Sequence, residues 1–165
     1  MYKIKDKVVY KKAGVCEIVD IIDKDFGNGL KQYYVICPCY SSNSSKLMLP
    51  VDKEASLRNI LSKNEALEII DNMPNAKDIW IQDSKLRKEK FLEIIDAGDL
   101  DEICSLIYTI HYKREDFIKN KKMLSMMDKD IFETAEKLVF EELATALNIS
   151  INDIDNFIDE RLNNN

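Results

Sequence analysis

The stretch CEIVDIIDKDFGNGLKQYYVIC, residues 16–37, decides the fold of the first part of the chain. Apolar, β-branched and aromatic residues fill both of its ends, which is the composition typical of β-strands. Between these ends lies Phe26-Gly27-Asn28-Gly29, and glycine and asparagine tolerate the positive φ angles that a tight turn requires. The stretch therefore predicts a β-hairpin.

Segments with the same composition lie on both sides of this hairpin. VVY at 8–10 precedes it, after a break at Ala13-Gly14, and KLMLPV at 46–51 follows it beyond the polar residues 41–45. Four or five short strands at this spacing are typical of a small twisted barrel with antiparallel neighbours. A unit of ~60 residues has a small core, so packing against the rest of the chain would stabilise it.

From Ser62 onward the apolar residues recur every three or four positions, which predicts helices. Helix starts are indicated by a cap residue followed three positions later by an acid, because both side chains can satisfy unpaired amides. Such pairs are Ser62 with Glu65, Asp99 with Glu102, Ser125 with Asp128, and Ser150 with Asp153. The sequence thus predicts an α+β fold, with a β-barrel domain at 1–61 and a compact bundle of about five helices at 62–165.

Charge is distributed unevenly between these two parts. Residues 1–62 contain ten Lys and Arg against seven Asp and Glu, whereas residues 63–165 contain fourteen against twenty-three. The net charge of the whole chain is -6. This acidity excludes a protein that coats nucleic acid indiscriminately, so any DNA contact must come from a local basic patch. With no run of ~18 apolar residues and no signal peptide, we expect a cytoplasmic protein that does not enter membranes.

Residues that could perform catalysis are sparse. His111 is the sole histidine, so only one base is available for a nucleophile. The glycines of 27–29 lie in a hairpin turn, not between a strand and a helix as a phosphate-binding loop requires. Acid pairs such as Glu141-Glu142 are adjacent in a helical pattern, which favours a solvated surface. We therefore expect a binding protein, not an enzyme, without a small-molecule substrate.

Cysteine chemistry offers one alternative. Cys37-Pro38-Cys39 has the form of half a metal site, but zinc usually takes four ligands at recognisable spacings. Small, partly buried thiols at the end of a strand are the simpler interpretation, so we expect no metal and no cofactor. A metal-binding regulator that uses Cys37 and Cys39 remains the alternative.

Trp80, the sole tryptophan, opens the basic segment DIWIQDSKLRKEKF at 78–91. A helix over 78–96 would place it on one side with Phe91 and would add four cations in the next two turns, Lys85, Arg87, Lys88 and Lys90. An apolar wedge flanked by cations is typical of minor-groove binders, which pry at a base step while holding phosphates. Because tryptophans are usually largely buried, a packing role for Trp80 is the alternative.

In order and spacing, blocks along essentially the whole chain resemble the CarD/CdnL family of bacterial transcription factors. They are YKIKDKVVYKKAGVCEIVDI, QYYVI, KLMLPVDK, LRNILS, LRKEKFLEIIDAGDLDEI and KLVFEELATALNIS. The resemblance implies that the first domain is a Tudor-like barrel, similar to the polymerase-interacting domain of transcription-repair coupling factors. Such a domain would bind the RNA polymerase β subunit, partly by strand-edge pairing through main-chain hydrogen bonds.

The resemblance also implies polymerase-binding residues. The family contact positions fall on Lys24 and Met48, and Pro50, two residues after Met48 in KLMLP, completes the expected polymerase-binding set. Met48 is apolar where some relatives carry arginine, which favours a packing contact there over an ion pair.

For the helical domain, the resemblance implies contact with promoter DNA at the upstream edge of the transcription bubble. The family's minor-groove tryptophan aligns with Ser84 and its following arginine with Arg87, whereas Trp80 lies one helical turn earlier. Weak DNA contact would become effective when polymerase tethers the factor, which would then favour the open complex by differential affinity. The alternative is a polymerase-binding adaptor without a DNA role, in which Trp80 is a core residue.

Overall fold

The computed structural model describes residues 1–10, 13–27, 29–41 and 45–163. The chain divides into two compact units, Met1–Leu61 and Ser62–Asn165. The first unit is an antiparallel sheet and the second is helical, which confirms the α+β class and the order of strands before helices. Within the described ranges, no helix combines the length and the apolar character needed to cross a bilayer.

The described strands of the first unit form one sheet in the order β4-β3-β2-β1-β5, with every neighbouring pair antiparallel. They are β1 (Lys7–Tyr10), β2 (Gly14–Asp25), β3 (Leu30–Pro38), β4 (Leu47–Pro50) and β5 (Leu57–Asn59). The predicted hairpin is the long β2–β3 pair, and Gly27 and Gly29 adopt φ angles of 95° and 85° at its turn. Asn28 and residues 42–44 of the polar loop lie outside the described residues.

The main cluster of buried residues in this unit lies on the Tyr34 face of the sheet. Tyr34 pairs with Ile21 on one side and with Leu49 on the other, and directly paired residues project from the same face. The Tyr34 hydroxyl donates to Glu54, and burial raises the pKa of this tyrosine. The buried residues of the cluster are Val8, Cys16, Ile18, Tyr34, Ile36, Leu49 and Leu57.

The helical unit contains, in its described part, α1 (Lys63–Asn72), α2 (Ser84–Ala97), α3 (Leu100–Lys119), α4 (Met126–Leu147) and α5 (Ile154–Asn163). The predicted caps Ser62, Asp99 and Ser125 each accept a hydrogen bond from the amide three residues onward. Ser150 instead caps a short 3-10 turn, Ile151–Asp153, that leads into α5. Met73–Asn75 forms another 3-10 turn after α1, at a proline break, because Pro74 cannot continue the helix.

The predicted helix over 78–96 is wrong at its start. The Asp83 carboxylate accepts from the amides of Lys85 and Leu86 at 2.9 Å each, so α2 begins only at Ser84. Trp80 therefore lies in the non-helical segment before the helix. Its amide donates to the carboxylate of Asp78 at 3.0 Å, a local side-chain bond that competes with helix formation.

The solvated surface predicted for Glu141 and Glu142 is also wrong, because these residues are only 2% and 1% exposed. They lie on α4, which contacts each of the other four helices described for this unit. A helix surrounded in this way buries positions on several sides, including charged ones. Lys137 Nζ lies 3.6 Å from Glu141 Oε1 and partly balances that charge.

Candidate functional site

Lys24, Met48 and Pro50 share one face of the N-terminal sheet. Met48 and Pro50 on β4 pair with residues 35 and 33 of β3, and Lys24 on β2 pairs with residue 31 of the same strand. Alternate residues of a strand point to the same face, so the partners of 31, 33 and 35 lie together on that face. This is the face opposite to the Tyr34 core.

The β4 strand lies at the edge of the sheet, where β3 is its only partner within the described chain. Met48 is 44% exposed on this strand, and Pro50 at its end is half-buried. An edge strand offers main-chain donors and acceptors to another chain. The arrangement is chemically suited to strand addition with an apolar contact beside it.

Lys24 belongs to a cluster at the end of the β2–β3 hairpin that the sequence did not single out. Its Nζ lies 4.7 Å from the centroid of the Phe26 ring, which packs edge-to-face on Tyr33 with centroids 5.3 Å apart. Phe26 is 55% exposed. We call Lys24, Phe26 and Tyr33 the hairpin cluster. The sequence signal that could have predicted it is an aromatic residue two positions after a cation at a turn.

In the helical unit, residues 76–82 form the Trp80 segment, which is fastened to α3 by hydrogen bonds. The amide of Ile79 donates to the Thr109 hydroxyl at 2.9 Å, and that hydroxyl donates to the carbonyl of Lys77 at 3.2 Å. The amide of Lys77 donates to the Ser105 hydroxyl at 3.2 Å. The main chain just before Trp80 is therefore held along α3.

The Trp80 indole is half-buried and lies between an aromatic ring and two cations. It packs edge-to-face on Phe117 with centroids 5.9 Å apart and an interplanar angle of 87°. The Arg87 guanidinium lies 4.1 Å from its centroid and Lys113 Nζ lies 5.8 Å away, both within cation–π range. Phe117 and Lys113 are contributed by α3 and carry no recognisable sequence signal for this role.

Arg87 does not lie on the surface with the other predicted basic residues, because it is only 6% exposed. Its Nε and Nη2 donate to the two carboxylate oxygens of Asp128 at 2.9 and 3.0 Å. Its Nη1 donates to the carbonyls of Ile81 at 2.7 Å and Gln82 at 3.2 Å. The guanidinium thus connects α4 to the main chain just after Trp80.

The remaining predicted residues lie exposed in the first two turns of α2. They are Ser84, Lys85, Lys88 and Lys90. Lys90 Nζ lies 3.6 Å from Glu93 on the same helix. Leu86, 57% exposed, adds an apolar side chain to this basic surface.

Other features of the described residues bear on possible chemistry. Among the described residues, no group of three or more His, Cys, Asp or Glu side chains is arranged to hold a metal ion. His111 is exposed, with Nε2 3.5 Å from Glu115 Oε1. A cavity of about 540 Å³ in the helical unit is lined in part by Ile79, Ile94 and Cys104, and burial raises the pKa of the Cys104 thiol to about 12.

Two family models match the chain. The CarD-like/TRCF RID domain matches residues 2–61, and the CarD C-terminal domain matches residues 57–159. A search of curated proteins gave no match. The two matches follow one another along nearly the whole chain, the first on the sheet and the second mainly on the helices. The chain therefore belongs to the CarD family of RNA polymerase-interacting transcription factors.

Proposed function

We propose that this protein binds the β subunit of RNA polymerase through its N-terminal unit, residues 1–61, and stabilises the open promoter complex through its helical unit, residues 62–165. The single observation that carries the DNA role is the half-buried Trp80 ring, held by cations next to the exposed basic start of α2. The protein would act in the bacterial cytoplasm, beside polymerase, by binding alone and without a cofactor.

Docking on polymerase would use the face that carries Lys24, Met48 and Pro50. The β4 edge supplies main-chain hydrogen bonds to an added strand, while the exposed Met48 side chain supplies an apolar contact. Lys24 supplies positive charge from the hairpin cluster. We further propose that the five-stranded sheet is the Tudor-like barrel that the family resemblance implies.

The DNA contact would divide between a wedge and phosphate ligands. Trp80 would enter the minor groove at the upstream edge of the bubble, while the exposed Lys85, Lys88 and Lys90 hold phosphates on either side. Ser84 is exposed at the start of α2, where its hydroxyl would donate a hydrogen bond to a phosphate. Arg87 would contribute by stacking on Trp80, because its charge is already paired with Asp128.

Stabilisation of the open complex would follow from linkage. A factor that binds the open complex more tightly than the closed one shifts their equilibrium by the difference in binding free energy. The helical unit is acidic overall, so its basic patch would bind promoter DNA weakly on its own. Attachment to polymerase makes that contact intramolecular and thereby effective.

Polymerase docking is tested by affinity capture from bacterial lysate with the wild type, Lys24→Glu and Met48→Glu. We expect the wild type to recover the polymerase β subunit and both variants to lose it. Lys53→Glu is the matched control for Lys24→Glu, since it makes the same charge change at an exposed site in the turn between β4 and β5. Equal recovery by all four proteins would refute docking through this face.

The adaptor function is favoured by one observation, the edge-to-face packing of Trp80 on Phe117. Trp80→Ala separates the two functions: if Trp80 is a wedge, polymerase capture persists and the open promoter complex dissociates faster. Fluorescence of the sole tryptophan gives a second measurement, because insertion into DNA would change the emission when promoter and polymerase are added. Unchanged emission and an unchanged complex lifetime would support the adaptor.

A further inference from the structure

We infer that Thr109 and Asp128 are positioning residues, which hold the Trp80 indole in the orientation that it presents at the surface. Neither residue touches DNA in the function proposed above. The inference rests on that function only for its consequence at the promoter. The positioning itself is a property of the helical unit and can be measured without DNA.

The Thr109 hydroxyl forms two hydrogen bonds with the main chain of the Trp80 segment. The residue is completely buried, and its hydroxyl both accepts from the Ile79 amide and donates to the Lys77 carbonyl. A threonine within a helix commonly donates to the carbonyl four residues earlier. Thr134 on α4 does so, with its hydroxyl 2.8 Å from the carbonyl oxygen of Asp130. The Thr109 hydroxyl instead forms hydrogen bonds with the main chain of residues 77 and 79, as a neighbouring strand would.

Asp128 acts from the other side of Trp80, through Arg87. Its two carboxylate oxygens hold the guanidinium in a fork-to-fork pair, a geometry that fixes the plane of the arginine head group. The Ser125 hydroxyl donates to the same carboxylate at 2.7 Å and orients it in turn. The Cζ atom of this head group lies over the Trp80 ring, 4.1 Å from its centroid.

Together these contacts bracket the tryptophan along the main chain. Residues 77 and 79 are bonded to Thr109, and residues 81 and 82 are bonded to Arg87. The indole between them has Phe117 at its edge and Arg87 over its face. A side chain that is ordered before binding loses less conformational entropy when it binds, so this bracket would strengthen the proposed wedge.

Thr109→Val tests the first contact in the full-length protein, because valine keeps the shape and removes both hydrogen bonds. One ordinary hydrogen bond corresponds to about a fivefold change in an equilibrium constant, so we expect the loss of two to raise the detached fraction of the segment by about 25-fold. The readouts are acrylamide quenching and anisotropy of Trp80, the sole tryptophan. Quenching should rise and anisotropy should fall. Thr109→Ser should restore both values, and Thr134→Val should leave them unchanged.

Asp128→Asn and Arg87→Lys test the second contact. Asparagine cannot accept both guanidinium bonds, and lysine lacks the planar fork that stacks on the indole. Either variant should loosen Trp80 in the same two measurements, made at a temperature at which circular dichroism shows every variant folded. If Asp128→Asn does not fold, Arg87→Lys and the Thr109 pair still decide the question. Wild-type quenching and anisotropy in both Thr109→Val and Arg87→Lys would overturn the inference.

The lifetime of the open promoter complex separates this inference from the proposed function. Loosened Trp80 together with a shortened lifetime and normal polymerase capture supports both. Loosened Trp80 with a wild-type lifetime supports the positioning role and refutes the wedge.

Discussion

At the scale of the residue, Arg87 and Asp128 form an ion pair that is almost completely removed from water, with side chains 7% and 1% exposed. Burial removes the hydration of both ions, so each charge depends on its partner and on its other hydrogen bonds for compensation. The same guanidinium carries the carbonyl contacts and the Trp80 stacking that the proposed wedge needs. Stability and the proposed function therefore depend on one side chain.

Asp128→Ala is expected to lower the free energy of unfolding by about 3–5 kcal/mol, because it leaves the Arg87 charge buried and unpaired. Replacing both residues, with Arg87→Met and Asp128→Leu, should recover most of this loss. Urea unfolding followed by circular dichroism measures each value. Lys90→Met is the control, since its exposed pair with Glu93 contributes less than about 1 kcal/mol. An Asp128→Ala cost no larger than that of the control would contradict burial of the pair.

The cysteines allow a test of burial at single residues. Because burial raises the Cys104 pKa to about 12, its thiolate fraction near pH 8 is on the order of 10⁻⁴, and we expect no reaction with a thiol reagent. Cys39 is exposed and should react rapidly. Labelling followed by peptide mass spectrometry distinguishes the two sites. In guanidinium both should react, and rapid labelling of Cys104 in the folded protein would show that its site opens readily.

At the scale of the element, α1 depends on its capping box. The Ser62 hydroxyl accepts from the Glu65 amide, and the Glu65 carboxylate accepts from the Ser62 amide at 2.7 Å. Ser62→Ala is expected to lower the free energy of unfolding by about 1 kcal/mol. Ser84→Ala is the matched control, since α2 is capped by Asp83 instead. Equal stability of the two variants in urea would mean that the box contributes nothing in solution.

The same box predicts a pH dependence. Hydrogen bonds from Ser62 lower the pKa of Glu65 below its ordinary value of 4.5, so the folded chain binds this proton less readily than the unfolded chain. The contribution is complete above the unfolded pKa and is lost as the pH falls through the lowered one. The stability difference between wild type and Glu65→Gln should therefore shrink between about pH 6 and about pH 3. A constant difference would contradict the prediction.

At the scale of the whole molecule, the proposed docking face and the proposed Trp80 wedge lie in different units. Variants of the two should therefore have different defects. In a titration of open-complex lifetime against factor concentration, Lys24→Glu should raise the half-maximal concentration by about tenfold, equivalent to ~1.4 kcal/mol of docking energy. The plateau of the lifetime should stay unchanged, because a high concentration of factor saturates the complex even when docking is weaker. Trp80→Ala should instead lower the plateau with little change in midpoint. If both variants shift only the midpoint, Trp80 contributes to docking.

Signals from residues close together in the chain were sufficient to predict most of the strands and helices. The β2–β3 hairpin, the Ser62 cap and the proline break depend on residues a few positions apart, so a short window contains the physics that forms them. The start of α2 shows the limit: apolar spacing extended the predicted helix back to 78, whereas the Asp83 side chain caps it at Ser84. The burial of Glu141 had no local signal, because it follows from the helices around α4.

The sequence by itself determined the fold class, the family and the residue types available for contact, because each of these is encoded by order and spacing along the chain. Only the tertiary structure decided which of those residues meet. Strand register places Lys24 and Met48 on one face, and the packing of α3 and α4 brings Thr109 and Asp128 to the two sides of Trp80. The physical reason is that contacts between residues distant in sequence depend on how whole elements pair and pack, which no short stretch of the chain specifies.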